Sequence, residues 1–193
     1  MEDAAHKACQ RLSEMLAARA AAGPEADALT YFLKIHTCIC KRVEKSRYPQ
    51  MWALNEVFAM KCVEVYENFD KHKSRPSELH TLWITAFAHY LRDKSAVMQT
   101  LAVMAAAHIL IDLEAALFEV NVQDKNQFDE VFQDVVCCLD ETTVTFAVGT
   151  SLTEMLLRFF SENFKHGRDA VIWEMRDFAW GRYQDRKLVS RGS

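Results

Sequence analysis

The chain is short of the residues that interrupt helices. Five glycines and three prolines are spread over 193 residues, too few for the turns of a β-sandwich or for a low-complexity disordered segment. Glycine-rich phosphate loops are missing with them, and Gly149-x-Ser151 lacks the strand-turn-helix setting of a nucleophile elbow, which argues against a serine hydrolase. Positive charge is not in excess either. The formal net charge is −4 with Lys and Arg scattered, so no basic stripe is available for nucleic acid. Met1-Glu2-Asp3 does not open a basic-then-apolar secretory signal. The six cysteines form no Cys-x-x-Cys pair, and the expectation is reduced thiols in a cytoplasmic protein.

What is present is apolar and helical. Half of the residues are hydrophobic, and the length suffices for one domain with a sizeable core. The chain centres on residues 95–120. From Ala96 to Leu113 only Gln99, Thr100, His108 and Asp112 are polar. An alanine- and leucine-rich run of this kind favours helix, and an apolar surface on nearly every side places that helix inside the fold. It has about the minimum length for a membrane span, yet an imidazole, a carboxylate and many alanines within it point to a core helix and no span.

The remaining helices are read from apolar spacing. Residues 3–22 form a first, weakly apolar helix, expected to be peripheral or to face a partner, stopped by Gly23-Pro24. Oligomer formation is expected to use this helix if it occurs. Helices follow over about 25–45, 50–69 and 77–92, with Ser77 as the cap of the last and Ser95 as the cap of the central helix. Asn126 with Asp129 resembles a capping arrangement for a helix to Leu139. The β-branched stretch 140–149 marks an interruption, and two more helices run from Ser151 to His166-Gly167 and from Arg168 to Arg186. The expectation is an all-α single domain over 1–190, a bundle of seven or eight helices around the central one. Arg191-Gly-Ser193 reads as a cloning remnant.

His108-x-x-x-Asp112 is the leading candidate for chemistry. On an α-helix the two lie one turn apart, and Glu119 returns to nearly the same angle after three turns. A carboxylate beside an imidazole orients it, fixes its tautomer and raises its basicity, which suits acid–base catalysis near neutral pH. Asn55, Glu56, His36, Trp83, Phe87, Glu119 and Arg176 are the candidate substrate-binding residues, with Arg176 expected to meet Asp112 or Glu119 if it points inward. The expected function is a cofactor-independent small-molecule enzyme performing cyclisation, condensation or isomerisation on an apolar or aromatic substrate. An alternative is a metal-dependent hydrolase with His108 and Asp112 as ligands of zinc or another divalent ion; it needs further ligands, for which His36, His89, Glu56 and Asp129 are the candidates. A third reading is a non-catalytic ligand-binding or scaffold domain in which the pair is a buried hydrogen bond. The enzymatic readings require the pair to face an occupied or fillable space.

Ala107-His-Ile-Leu-Ile-Asp-Leu113 resembles the central helix of a mainly bacterial, all-helical family of unknown function, in which it reads Ala-His-Ile-x-x-Asp-Leu. Tyr31-Phe32 with His36 and Thr37, Leu54-x-x-x-Phe58-Ala59, Trp83 with Phe87, Phe128-Asp129 and Arg176-Asp177-x-Ala179-Trp180 resemble further pieces in the same order across residues 30–182. Asn55 stands where that family usually has Asp, and Ile111 replaces an often aromatic residue. The His-x-x-x-Asp helix is also similar to one in zinc-dependent phospholipase C and related single-strand nucleases, whose further histidines are missing here.

Overall fold

The computed structural model describes residues 7–22, 27–69, 80–93, 96–146 and 152–191. The elements are α1 (Lys7–Ala22), α2 (Ala28–Val43), α3 (Pro49–Glu67), α4 (Thr81–Arg92), α5 (Val97–Ala107), a π-helical turn (His108–Leu113), α6 (Glu114–Val120), α7 (Lys125–Phe146) and α8 (Leu152–Arg191). Because α5, the π turn and α6 run on as one rod, the described residues form an all-α bundle of seven rods, and no strand occurs among them.

Two apolar clusters fill it. Leu12, Phe32, Leu33, Val63, Trp83 and Met104 belong to the first, which joins α1–α5. Leu54, Leu113, Leu117, Phe128, Trp180 and Tyr183 belong to the second, which joins α2, α3, the π turn, α6, α7 and α8. The central rod crosses from one to the other. Its inner face buries Val97, Thr100, Met104, Ala107 and His108, whereas Ala102 is exposed and Ile109–Ile111 are half-buried. The stretch Gln99–Val120 is long and apolar enough by composition to cross a membrane, and 44% of its most apolar part is buried within the bundle.

The helix starts depart from the sequence reading in instructive ways. Asp27 caps α2, its carboxylate accepting from the Thr30 amide at 2.8 Å. The same carboxylate takes Tyr90 Oη–H at 2.7 Å and pairs with Arg19, which also donates to Thr30 Oγ1 and Tyr66 Oη. One buried acid thereby ties together α1, α2, α3 and α4. For α7 it is Asp124, not Asn126, that accepts from the first amides, those of Asn126 and Gln127. Asp129 instead meets Lys125 and Arg176. Helix α4 starts at Thr81 with His80 as its cap, while Ser77, Ser95 and Gly23-Pro24 lie outside the described residues.

Helix α7 continues to Phe146, into the β-branched stretch 140–149, whose last residues lie outside the described ones. The break expected at His166-Gly167 is not a break: α8 passes Gly167 without interruption for 40 residues. A lone glycine costs a helix only about 1 kcal/mol relative to alanine, which the packing of so long a helix outweighs. Nor is α1 merely peripheral: Ala8, Cys9, Leu12 and Met15 are buried. Its first turn is held by Glu56, whose carboxylate accepts from the Ala8 amide at 3.0 and 3.2 Å.

Candidate functional site

His108 opens the π turn and Asp112 lies within it. A π turn places one extra residue in each hydrogen-bonded loop of backbone, and such turns recur at functional sites. His108 Nδ1 sits 2.7 Å from Asp112 Oδ2, and the same oxygen accepts from Trp83 Nε1–H at 3.2 Å. With the carboxylate as acceptor, Nδ1 carries the imidazole proton and Nε2 is left bare. Nε2 is fully buried and has no hydrogen-bond partner among the described residues.

Four rings surround the imidazole. Phe58 stacks on it with ring centres 3.7 Å apart and planes inclined by 14°. His36 meets it nearly edge-on at 4.5 Å, and Phe32 and Trp83 stand further out. His36 is itself fixed by its Nδ1 contact to the Phe32 carbonyl at 3.0 Å, the turn-to-turn neighbour expected on α2. The pair thus lies at the seam of the two apolar clusters, with Phe32 and Trp83 on one side and Phe58 and Leu113 on the other.

Burial governs the charges here. Taking an imidazolium out of water is costly, so His36 and His108 are pulled down to about 3. At His108, whose side chain is only 2% exposed, burial alone accounts for the shift. Asp112 is pushed up to about 7 by desolvation, opposed by the Trp83 hydrogen bond and by Lys61. An acid that exchanges its proton near neutrality, one hydrogen bond from a neutral imidazole, is suited to proton transfer.

Of the expected substrate-binding residues, the structure brings His36 and Trp83 to the pair. Phe87 stacks on Trp83 and meets Phe69 at a tilt, one layer away. Asn55 is buried beside Cys9, its amide Nδ2 4.0 Å from the thiol sulfur. Glu56 holds the start of α1. Glu119 pairs with Lys61 at the surface, 58% exposed. Arg176 points inward but meets neither Asp112 nor Glu119. Its guanidinium lies among the rings of Phe128, Phe132 and Trp173, 4.5–5.2 Å from their centres, and pairs with Asp129 and Asp177. Phe58 and Phe32 were not singled out as site residues by the sequence reading. The Leu54-x-x-x-Phe58 spacing and the Phe32–His36 turn were the available signals.

Two cavities are marked. One, of about 230 Å³, lies between α1 and α2 beside Cys9, Ser13, Thr37 and Lys41. The other, of about 50 Å³, is apolar and lies between α2, α3, α7 and the π turn, with Phe58, Asn55 and Leu113 in its wall. His108 and Asp112 line neither. Among the described residues no three His, Cys, Asp or Glu side chains converge to hold a metal ion.

A family model fits nearly the whole of this bundle, over residues 8–189. The chain belongs to the family of unknown function DUF5995. The match takes in all the rods and every residue of the His108–Asp112 surroundings, so the DUF5995 assignment covers the candidate site as well as the fold. No curated protein and no solved structure matches the chain.

Proposed function

We propose that this DUF5995 chain is a cytoplasmic small-molecule enzyme in which His108 and Asp112 perform acid–base chemistry without a cofactor. The observation that carries the reading is the bare, buried Nε2 of His108. Buried polar atoms in proteins are nearly always paired, and an imidazole whose other nitrogen is anchored to a carboxylate is built to accept a proton at the free one. In an isomerisation or condensation, Nε2 takes a proton from carbon next to a carbonyl while the Nδ1 proton passes to Asp112 and the electron pair moves to the carbonyl oxygen. The buried imidazole thereby stays neutral, and the proton held on Asp112, which titrates near 7, is returned through the ring to the product. Phe58 covers the imidazole face in this state, so the reading requires that ring to swing aside for substrate, as closing side chains do in many enzymes.

Further features accord with this reading. We take Ala107–Leu113 as the signature of a mainly bacterial family whose central helix carries the pair. Cys9, Cys38, Cys40 and Cys62 are free thiols, in keeping with a reducing compartment. We read Gln99–Val120 as a core helix, since Met104, Ala107, His108 and Asp112 are buried against its neighbours. The metal-hydrolase alternative needs a third ligand. Of its candidates, Glu56 is engaged on α1, Asp129 on Arg176 and His89 on Arg92, while His36 lies beside the pair with its Nδ1 on the Phe32 carbonyl.

The test is deuterium incorporation from D2O next to the carbonyl of butan-2-one, followed by proton NMR for the wild type and His108→Gln. The reading expects exchange catalysed by the wild type and lost in the variant with its helix content intact. Equal exchange by both contradicts it. One observation favours a second reading, a non-catalytic scaffold: neither cavity reaches the pair. On that reading His108→Ala costs about 1–3 kcal/mol of stability and no chemistry.

A further inference from the structure

The wall of the smaller cavity is apolar almost throughout. Ile39 and Val43 come from α2, Leu54 from α3, Leu113 from the π turn and Val131 and Phe132 from α7. Asn55 is the one polar residue among those that line it. Asn55 is buried, and its amide makes one long contact, Nδ2 to Cys9 Sγ at 4.0 Å. Its carbonyl oxygen accepts no hydrogen bond among the described residues. An apolar space with a single underused amide is how small-molecule sites are commonly built: bulk contact for grip, one polar group for orientation.

Size narrows the occupant. The space of about 50 Å³ exceeds the roughly 10–15 Å³ that one water needs and falls well short of the roughly 150 Å³ that admits benzene. Water gains little from the apolar part of this half-open space, where Asn55 is the one polar side chain in the lining and a water needs two to four polar partners. An aromatic ring is too large while Phe58 stays in place. We infer that this cavity receives the alkyl end of a short aliphatic molecule bearing one hydrogen-bonding group, which the Asn55 amide holds. Phe58 is shared by the cavity wall and the imidazole stack, so a molecule seated there lies one ring away from His108. The inference rests on the acid–base reading for what becomes of that molecule, but not for its binding.

Binding is measured without turnover, by methyl NMR of the full chain with labelled Val and Leu. The probes are xenon, which reports the apolar space, and 1-propanol, which adds one hydroxyl. Both are expected to shift the Val131 and Leu113 methyls saturably. Asn55→Leu should keep xenon binding and weaken 1-propanol by about fivefold or more, the worth of one hydrogen bond. Val131→Phe should fill the space and abolish both, with Val135→Phe as the substitute if that variant does not fold. Absence of saturable shifts with 1-propanol overturns the inference, as does an unchanged 1-propanol affinity in Asn55→Leu. Neither outcome depends on whether His108→Gln alters deuterium exchange, so this inference and the acid–base reading fail separately.

Discussion

The ring of Phe58 lies face to face with the imidazole of His108, 3.7 Å between centres. That contact covers one face of the imidazole and makes Phe58 a shared wall with the neighbouring apolar cavity. Phe58 is only half-buried, and its displacement breaks its ring contacts with His108 and His36.

Phe58→Ala is therefore expected to open the imidazole to small molecules. Loss of a partly buried ring costs about 2–3 kcal/mol, less than the roughly 3–5 kcal/mol typical of a fully enclosed phenylalanine. Added to the existing cavity, the vacated volume should admit a benzene-sized probe. Phenol, which carries a donor for Nε2, should bind this variant more tightly than toluene in calorimetric titration. Equal affinity would show that Nε2 does not face the opened space.

Acid should weaken the fold through the two buried histidines. Both are held near 3, below the 6.5 of a free imidazole, so the unfolded chain binds two more protons as pH falls below about 6.5. Asp112 acts the other way. Its folded value of about 7 lies above 3.8, and the folded chain gains one proton below neutrality. The difference of about one proton gives a loss of roughly 1.4 kcal/mol per pH unit between about pH 6.5 and 4. Urea midpoints measured across that range should fall accordingly, and His36→Asn should flatten the slope. Equal midpoints at the two ends of the range for the wild type would refute this balance.

Asp27→Ala should be among the more damaging single changes. It removes the α2 cap and leaves Arg19 and Tyr90 without their shared acceptor. About 3 kcal/mol is expected, seen as a drop in urea midpoint. A loss below about 1 kcal/mol would mean that solvent replaces the carboxylate with little penalty.

Arg176→Lys tests the packing between α7 and α8. A lysine keeps the charge but cannot lay a planar fork against three rings. About 1–2 kcal/mol of destabilisation is expected. Full retention of stability would show that charge alone, through Asp129 and Asp177, holds this side chain.

Helix periodicity made most of the rods readable, and the His108–Asp112 pair stood out because two polar groups interrupt an otherwise apolar run. Trp83 and His36 could be chosen for the same reason, as polar-edged rings on apolar faces. Glu119 was misplaced by the arithmetic of the α-helix. Three turns at 100° per residue bring it back over His108, but the π turn lies between them and its wider loops upset that count. Nothing in the local sequence announces such a turn. Arg176 went to Asp129 rather than to Asp112 because helix pairing, which spacing within one helix does not encode, sets α8 against α7 at that level. Asp27 carries little local signal, since its remaining weight comes from Tyr90 on α4, distant in sequence.

The account turns on the state of one nitrogen. Histidine-selective 15N NMR of the wild type at about pH 8, above the Asp112 titration, reads it directly. The account predicts for His108 a neutral ring with the proton on Nδ1 and an unprotonated Nε2. A proton found on Nε2, or a charged imidazolium at that pH, would contradict it.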